Sequence, residues 1–209
     1  IAAEGVAYAM VSECGKVGVV IEVNAETDFV AKNDKFVEFT KDLANVVAEQ
    51  KPADVEALMA CKTEAGETVD EALKNLILVI KENIKVRRFV RYEGVCSAYV
   101  HGGGTHGILV NFETTNGIEA KDEFVTYGKD IAMQIAALNP RFWDKSQVTQ
   151  DVLDEEKEVM LGQMANDPKM ANKPDQVKEK IVMGKLNKFY SENCLLQQEF
   201  VRGDVFTGT

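Results

Sequence analysis

Positive charge is the first thing this sequence is short of. Its 209 residues carry 24 Lys or Arg against 34 Asp or Glu, a formal charge of −10 at pH 7. Nucleic-acid binding draws on clustered cations that neutralise phosphates, so the balance argues against a nucleic-acid partner. It argues equally against an anionic membrane surface. The one basic run, Lys85 to Arg91, alternates charge with apolar residues and reads as a strand with one solvated face. Histidine is scarce: only His101 and His106 are present. The four cysteines, Cys14, Cys61, Cys96 and Cys194, are scattered and form no CxxC pair. A structural zinc site needs tighter ligand spacing, so no metal or cofactor is expected, and the thiols read as reduced groups of a cytoplasmic protein. An apolar run of membrane-spanning length and a secretory signal are also lacking.

Nucleotide and hydrolase motifs fail on context. No GxxxxGK[ST] loop exists to cradle a nucleoside triphosphate. Gly102-Gly103-Gly104-Thr105-His106-Gly107 satisfies GxGxxG, but it lies between two predicted strands, whereas the dinucleotide fingerprint must open a helix. It reads as a turn. The His-Gly-Gly-Gly of 101–104 has no GxSxG elbow to supply a nucleophile. Arg202-Gly203-Asp204 is expected to be an ordinary turn of the tail.

What the chain does contain is a repeat. Glu4-Gly5-Val6 returns as Glu93-Gly94-Val95, and Gly15 and Gly18 return as Gly104 and Gly107, at a constant offset of 89 residues. After a one-residue gap, Phe36-Val37, Lys41-Asp42 and Pro52 return as Phe124-Val125, Lys129-Asp130 and Pro140. In each copy two β-rich stretches lead into a helix. Val6–Val11 and Val17–Val23 read as strands, the second apolar almost throughout, as a strand covered on both faces would be. From Asn33 the period becomes helical, through Phe36, Phe39, Leu43, Val46 and Val47, until Pro52 forbids continuation. The second copy predicts strands near 95–100 and 107–113 and a helix ending before Pro140.

Between the copies lie two amphipathic helices, near 53–62 and 67–82, and a strand through 84–92. From 148 to 190 two charged helices with narrow apolar seams read as a projecting hairpin. Val152, Val159, Met160 and Met164 mark the first seam, and Val177, Ile181 and Leu186 the second. A last strand, Leu195–Val201, is expected to return to the second sheet. The fold class is therefore α+β: two related subdomains, each a small antiparallel sheet packed with helices, plus an inserted antiparallel helical hairpin. The predicted division is 1–91 for the first core subdomain, 92–140 with 191–209 for the second, and 141–190 for the hairpin.

Two copies of one unit separate scaffold from specialisation, and the sharpest difference between them is one loop. Thr27-Asp28-Phe29-Val30-Ala31 in the first copy faces Asn116-Gly117-Ile118-Glu119-Ala120 in the second. Taken alone, Phe29 reads as core, since most Phe residues are buried. Against that, it sits at a strand-to-helix junction among Asn24, Glu26, Thr27 and Asp28, where an unmatched aromatic suits a wedge into a partner. Two other function classes stand beside this one. A small enzyme would use His101, His106 and Asp28, but no complete constellation is present. A non-catalytic assembly scaffold would bury Phe29 instead.

The segment Glu22-Val23-Asn24-Ala25-Glu26-Thr27-Asp28-Phe29-Val30-Ala31 closely resembles the signature of elongation factor Ts, the nucleotide exchange factor of the translational GTPase EF-Tu. Ile1-Ala2-Ala3-Glu4-Gly5, Glu82-Asn83-Ile84-Lys85-Val86-Arg87-Arg88 and Tyr99-Val100-His101-Gly102 are similar to it too. The resemblance spans almost the whole chain. It implies EF-Tu as partner, with Thr27, Asp28, Phe29, Val30 and His101 as contact residues, Phe29 entering near the Mg²⁺ and nucleotide, and no chemistry of the chain's own. A homo-oligomer formed through the helical hairpin or a sheet is the second association it leaves open. Against the family pattern, the amino-terminal three-helix module and carboxy-terminal extension are expected to be lacking. Lys81 stands where Gly is usual, and Thr105-His106 where Arg-Ile is common.

Overall fold

A computed structural model describes residues 4–201. The segments Ile1–Ala3 and Arg202–Thr209, with the expected tail turn, lie outside the described residues. The fold is α+β, with helices and two small antiparallel sheets. The chain divides into two compact units, one up to Ala136 and one from Ala137 onward.

The first unit opens with strands β1 (Glu4–Val11) and β2 (Val17–Ala25), paired antiparallel from Glu4↔Ala25 to Val11↔Gly18. Gly15 turns the hairpin at a left-handed φ of 68°. Strand β3 (Lys85–Glu93) pairs with the other edge of β2, giving the order β1-β2-β3. A second, two-stranded sheet is formed by β4 (Val95–His101) and β5 (His106–Phe112). Strand β2 is sandwiched between these layers. Helix α2 (Asp34–Gln50) packs on one face, and the β4–β5 hairpin packs on the other. This explains the nearly unbroken apolar run, because a strand covered on both sides has no solvated face on which to place polar residues. The close approach fixes Gly18. A Cβ there would lie 2.6 Å from Leu109 Cδ1 and 2.8 Å from Cys96 Sγ.

Helix α2 starts where Asn33 accepts a hydrogen bond from the Lys35 N–H at 3.0 Å, satisfying one orphan donor of the first turn. It ends at Lys51, in the left-handed region just before Pro52, where the ring forbids another turn. Its stripe of Phe36, Phe39, Leu43, Val46 and Val47 is buried against the three-stranded sheet. The short helix α3 (Val55–Ala60) and helix α4 (Val69–Ile80) complete this core. A capping box between Thr68 and Glu71 begins α4, and Leu73, Leu76, Ile77 and Ile80 pack against the core as their spacing predicts. The helix stops at Lys81, whose φ of 64° is again left-handed.

The repeat is visible in the order of elements. Strand, strand, one short helical turn and one long helix occur twice: β1, β2, α1 (Asp28–Ala31) and α2, then β4, β5, the 3-10 turn Ile118–Ala120 and α5 (Asp122–Leu138). The Gly-rich 102–105 segment is the β4–β5 turn, with Gly102, Gly103 and Gly104 all at positive φ. The anchoring of α5 is aromatic: Phe112 contacts Phe124 edge-on and lies beside Tyr127.

The second unit holds α6 (Gln150–Asn166), the short α7 (Pro168–Ala171) and α8 (Asp175–Asn193). Two sequence expectations need correction here. Val159 and Val177 face solvent. The other expected seam residues do pack together, Val152, Met160 and Met164 on α6 with Ile181 and Leu186 on α8, and Val182 and Phe189 join them. The expected last strand is also absent: Leu195–Gln197 is a 3-10 turn. Leu195 N–H donates to the Phe142 carbonyl at 2.9 Å and Leu196 N–H to Trp143 at 3.0 Å. Those bonds, with Cys194 fully buried, hold the segment that follows α8 to Phe142 and Trp143.

Candidate functional site

The Thr27–Ala31 segment follows the end of β2, the central strand of the first sheet, and becomes a one-turn helix. Thr27 is extended, and α1 is only four residues long. Its carbonyl ladder is short, with Ala31 N–H reaching Thr27 O at 3.4 Å and Asn33 N–H reaching Val30 O at 2.9 Å. The turn has an inside and an outside. Val30 is 8% exposed and belongs to the core, packed in the cluster with Phe36 and Leu43. Phe29 is 82% exposed. Asp28 is also exposed and accepts from Lys32 Nζ at 3.2 Å, an i,i+4 pair on the solvent side. Thus Thr27, Asp28, Phe29 and Val30 are brought together on one turn, but only Asp28 and Phe29 project outward.

The counterpart loop is built differently. Asn116 and Gly117 both adopt positive φ, and Ile118, 42% exposed, begins a 3-10 turn. The first copy has no such left-handed pair, so its loop enters the helical turn directly from an extended Thr27.

Sequence reasoning missed two parts of the site. The first is the apolar surface supplied by α4. Val79 and Ile80 line the same surface cavity of about 500 Å³ as Phe29, Val30 and Asn33. Val79 and its neighbour Leu78 are themselves exposed. Helical spacing marks one stripe as core, and the two extra apolar residues outside it were the available signal. The second is Glu82. Its Oε1 accepts from the Thr27 hydroxyl at 2.7 Å and its Oε2 from the Thr27 N–H at 3.1 Å. No local signal could reveal this, because the partners are 55 residues apart.

Charge around the segment is ordered by ion pairs. Glu22 on β2 accepts from Arg88 Nε at 2.6 Å, Arg87 Nη1 at 3.1 Å and Asn24 Nδ2 at 3.2 Å. Burial pushes its carboxyl up, but the hydrogen bonds from Arg88 and Asn24 and the two guanidinium charges outweigh this and hold it below its ordinary value.

His101 ends β4 and is exposed; its Nδ1 lies 3.0 Å from the Tyr99 hydroxyl. The turn that follows it docks on β1, where the Ala7 N–H donates to the Gly104 carbonyl at 2.8 Å. Ala7 lies three residues along β1 from Glu4, which pairs with Ala25, two residues before Thr27. The rings of His101 and His106 are 6.1 Å apart, and His106 Nδ1 is 3.1 Å from Thr105 Oγ1. Asp28, the third member of the enzyme reading, is engaged with Lys32. Among the described residues there is no group of three or more His, Cys, Asp or Glu arranged to hold a metal ion. Among them, too, no helix is long and apolar enough to cross a membrane.

Comparison with known proteins agrees with the motif. The family model described as "Elongation factor TS" matches residues 26–207. An elongation factor Ts from Trichlorobacter lovleyi is 41% identical, over 96% of this chain and 65% of that protein. One from Syntrophotalea carbinolica is 42% identical, over 90% of this chain and 61% of that protein. A third, from Clostridium kluyveri, is 42% identical, over 99% and 67%. The chain thus spans about two thirds of the length of these curated relatives, and slightly less for the first two. With the signature segment, the repeat and these matches all in agreement, the chain belongs to the elongation factor Ts family.

Proposed function

We propose that this chain promotes guanine nucleotide exchange on the GTPase EF-Tu by inserting Phe29 near the Mg²⁺ and nucleotide. The observation that carries the reading is the 82% exposure of Phe29 on a turn whose other side, Val30, is locked in the core. Single exposed apolar side chains are common, but Phe29 shares a surface cavity with Val79, beside exposed Leu78, and an exposed apolar patch marks an interaction site. A scaffold reading would bury this ring. The chain contributes no bond-making step. Phe29 displaces groups that hold Mg²⁺ in the partner, the phosphates lose their counter-charge, and GDP leaves faster. Asp28 and His101 contribute polar contacts beside the wedge, Val30 anchors it, and Thr27 sets its direction.

Burying the exposed ring supplies about 1.5–3 kcal/mol. That shifts an equilibrium but falls short of a many-decade acceleration, so other contacts share the work. Reciprocity follows: the factor weakens nucleotide binding by the same factor by which nucleotide weakens binding of the factor. Stopped-flow release of a fluorescent GDP analogue from EF-Tu tests the proposal. Acceleration that saturates with added chain and falls in Phe29→Ala supports it. Unchanged release at saturating chain contradicts it.

A further inference from the structure

We infer that Glu82 is a positioning residue for Phe29, acting through a two-pronged hold on Thr27. The inference rests on the exchange reading above and adds the element that aims the wedge. Thr27 occupies the N-cap position of α1, where a Thr hydroxyl ordinarily accepts from an amide of the first turn. Here it makes no such cap. The hydroxyl instead donates to Glu82 Oε1 at 2.7 Å, while the Thr27 amide donates to Oε2 at 3.1 Å.

The consequence is mechanical. A one-turn helix has too few hydrogen bonds to hold itself and depends on its ends. The carboxy-terminal end is fixed by buried Val30 and by Asn33, which opens α2. At the amino-terminal end the β1–β2 ladder stops at Ala25, paired with Glu4, two residues before Thr27. Glu82 supplies the second anchor, and its own place is set by elements on both sides. Lys81 closes α4 with its N–H on the Ile77 carbonyl at 2.7 Å, and buried Ile84 enters the core just ahead of β3. Both bonds to Glu82 terminate on one carboxylate, so they fix the direction of the Thr27 peptide as well as its position. Phe29 lies two residues further on, so its ring is aimed by this clamp.

A clamp of this kind changes the fraction of molecules with the ring in place, and leaves the contact made by a well-placed ring as it was. The apparent dissociation constant rises in proportion as that fraction falls. Removing the clamp therefore raises the chain concentration that gives half-maximal GDP release and leaves the maximal rate near wild type. Glu82→Ala should raise that concentration about tenfold, because both charge-assisted bonds go. Glu82→Gln keeps an acceptor for the Thr27 hydroxyl and should show about a threefold rise. Thr27→Val, which keeps the amide donor alone, should fall between them. In the free chain, hydrogen exchange at the Thr27 amide should quicken about tenfold in Glu82→Ala.

The decisive arm is Glu82→Ala combined with Phe29→Ala. A positioning residue has nothing left to position once the ring is gone, so the double variant should match Phe29→Ala alone. Equal losses in both backgrounds would make Glu82 a general structural or contact residue and overturn the inference. If Phe29→Ala slows exchange and Glu82→Ala does not, the positioning role falls and the exchange reading stands. If Phe29→Ala itself changes nothing, the exchange reading falls and takes the positioning role with it. Melting curves of each variant separate loss of fold from loss of aim, and a Thr27 amide as protected in Glu82→Ala as in wild type also overturns the clamp.

Discussion

Replacing Phe29 and Phe36 by alanine, separately, compares the same chemical change at two extremes of burial. Phe36 is 0% exposed at the start of α2, and its loss opens a cavity beneath the three-stranded sheet. Core Phe→Ala changes cost about 3–5 kcal/mol. At about 2–4 °C per kcal/mol for a chain of this size, Phe36→Ala should lower the melting temperature by roughly 6–20 °C. Phe29 is 82% exposed, so its truncation removes little buried area and creates no cavity. Its effect on stability should stay within about 0.5 kcal/mol. On binding the order reverses. Nearly the whole ring is available to be buried by a partner, at about 1.5–3 kcal/mol, which is about a tenfold to hundredfold loss of affinity. The assay is a melting curve and an EF-Tu titration on each purified variant. A melting temperature for Phe29→Ala as low as that of Phe36→Ala would show that Phe29 is ordinary core, and the reasoning would fail.

Lys81→Gly should stabilise the chain by about 0.5–1 kcal/mol, since a non-Gly residue in the left-handed region costs about 1–2 kcal/mol and Gly returns part of that as backbone entropy; a lower urea midpoint would contradict this. Gly18→Ala should cost about 1–3 kcal/mol, because its Cβ would overlap Leu109 and Cys96, and a change below about 0.5 kcal/mol in chemical denaturation would mean the hairpin can retreat. Asp42 is pushed above its ordinary value by burial and by the carboxylates of Glu38 and Glu64, so its charged form destabilises the fold at pH 7. Asp42→Asn should therefore raise the melting temperature slightly at pH 7. The gain should fade as pH falls through the carboxylate range and the native carboxyl takes up its proton; a gain that grows on acidification would reverse the sign of the argument.

The architecture was legible wherever local chemistry decides it. The unbroken apolar run of β2 announced two-sided burial, and Pro52 and Pro140 marked the ends of long helices in both copies. The exposure of Phe29 was legible from its setting, because its own residue type argues for the core while the unlike partner loop, the polar neighbours at a strand-to-helix junction and the family resemblance argue otherwise. What stayed hidden was set by distant contacts. Glu82 reaches Thr27 across 55 residues, and nothing in either local sequence marks the pairing. Val159 and Val177 share helical spacing with the true seam, yet periodicity cannot say which sector of a weakly amphipathic helix meets its neighbour. Leu195 and Leu196 give their N–H groups to the carbonyls of Phe142 and Trp143, and Leu195–Gln197 forms a 3-10 turn, a distant pairing that the local sequence does not mark.

The central claim is that a presented aromatic, held on a clamped turn, drives nucleotide off a GTPase. The most direct measurement is the rate of GDP release from EF-Tu at increasing concentrations of this chain, run beside Phe29→Ala at equal concentrations. The account predicts a saturable acceleration by the native chain and a smaller acceleration by Phe29→Ala at each concentration, saturating concentrations included. Equal acceleration by both proteins, or none by the native chain at saturation, would contradict it.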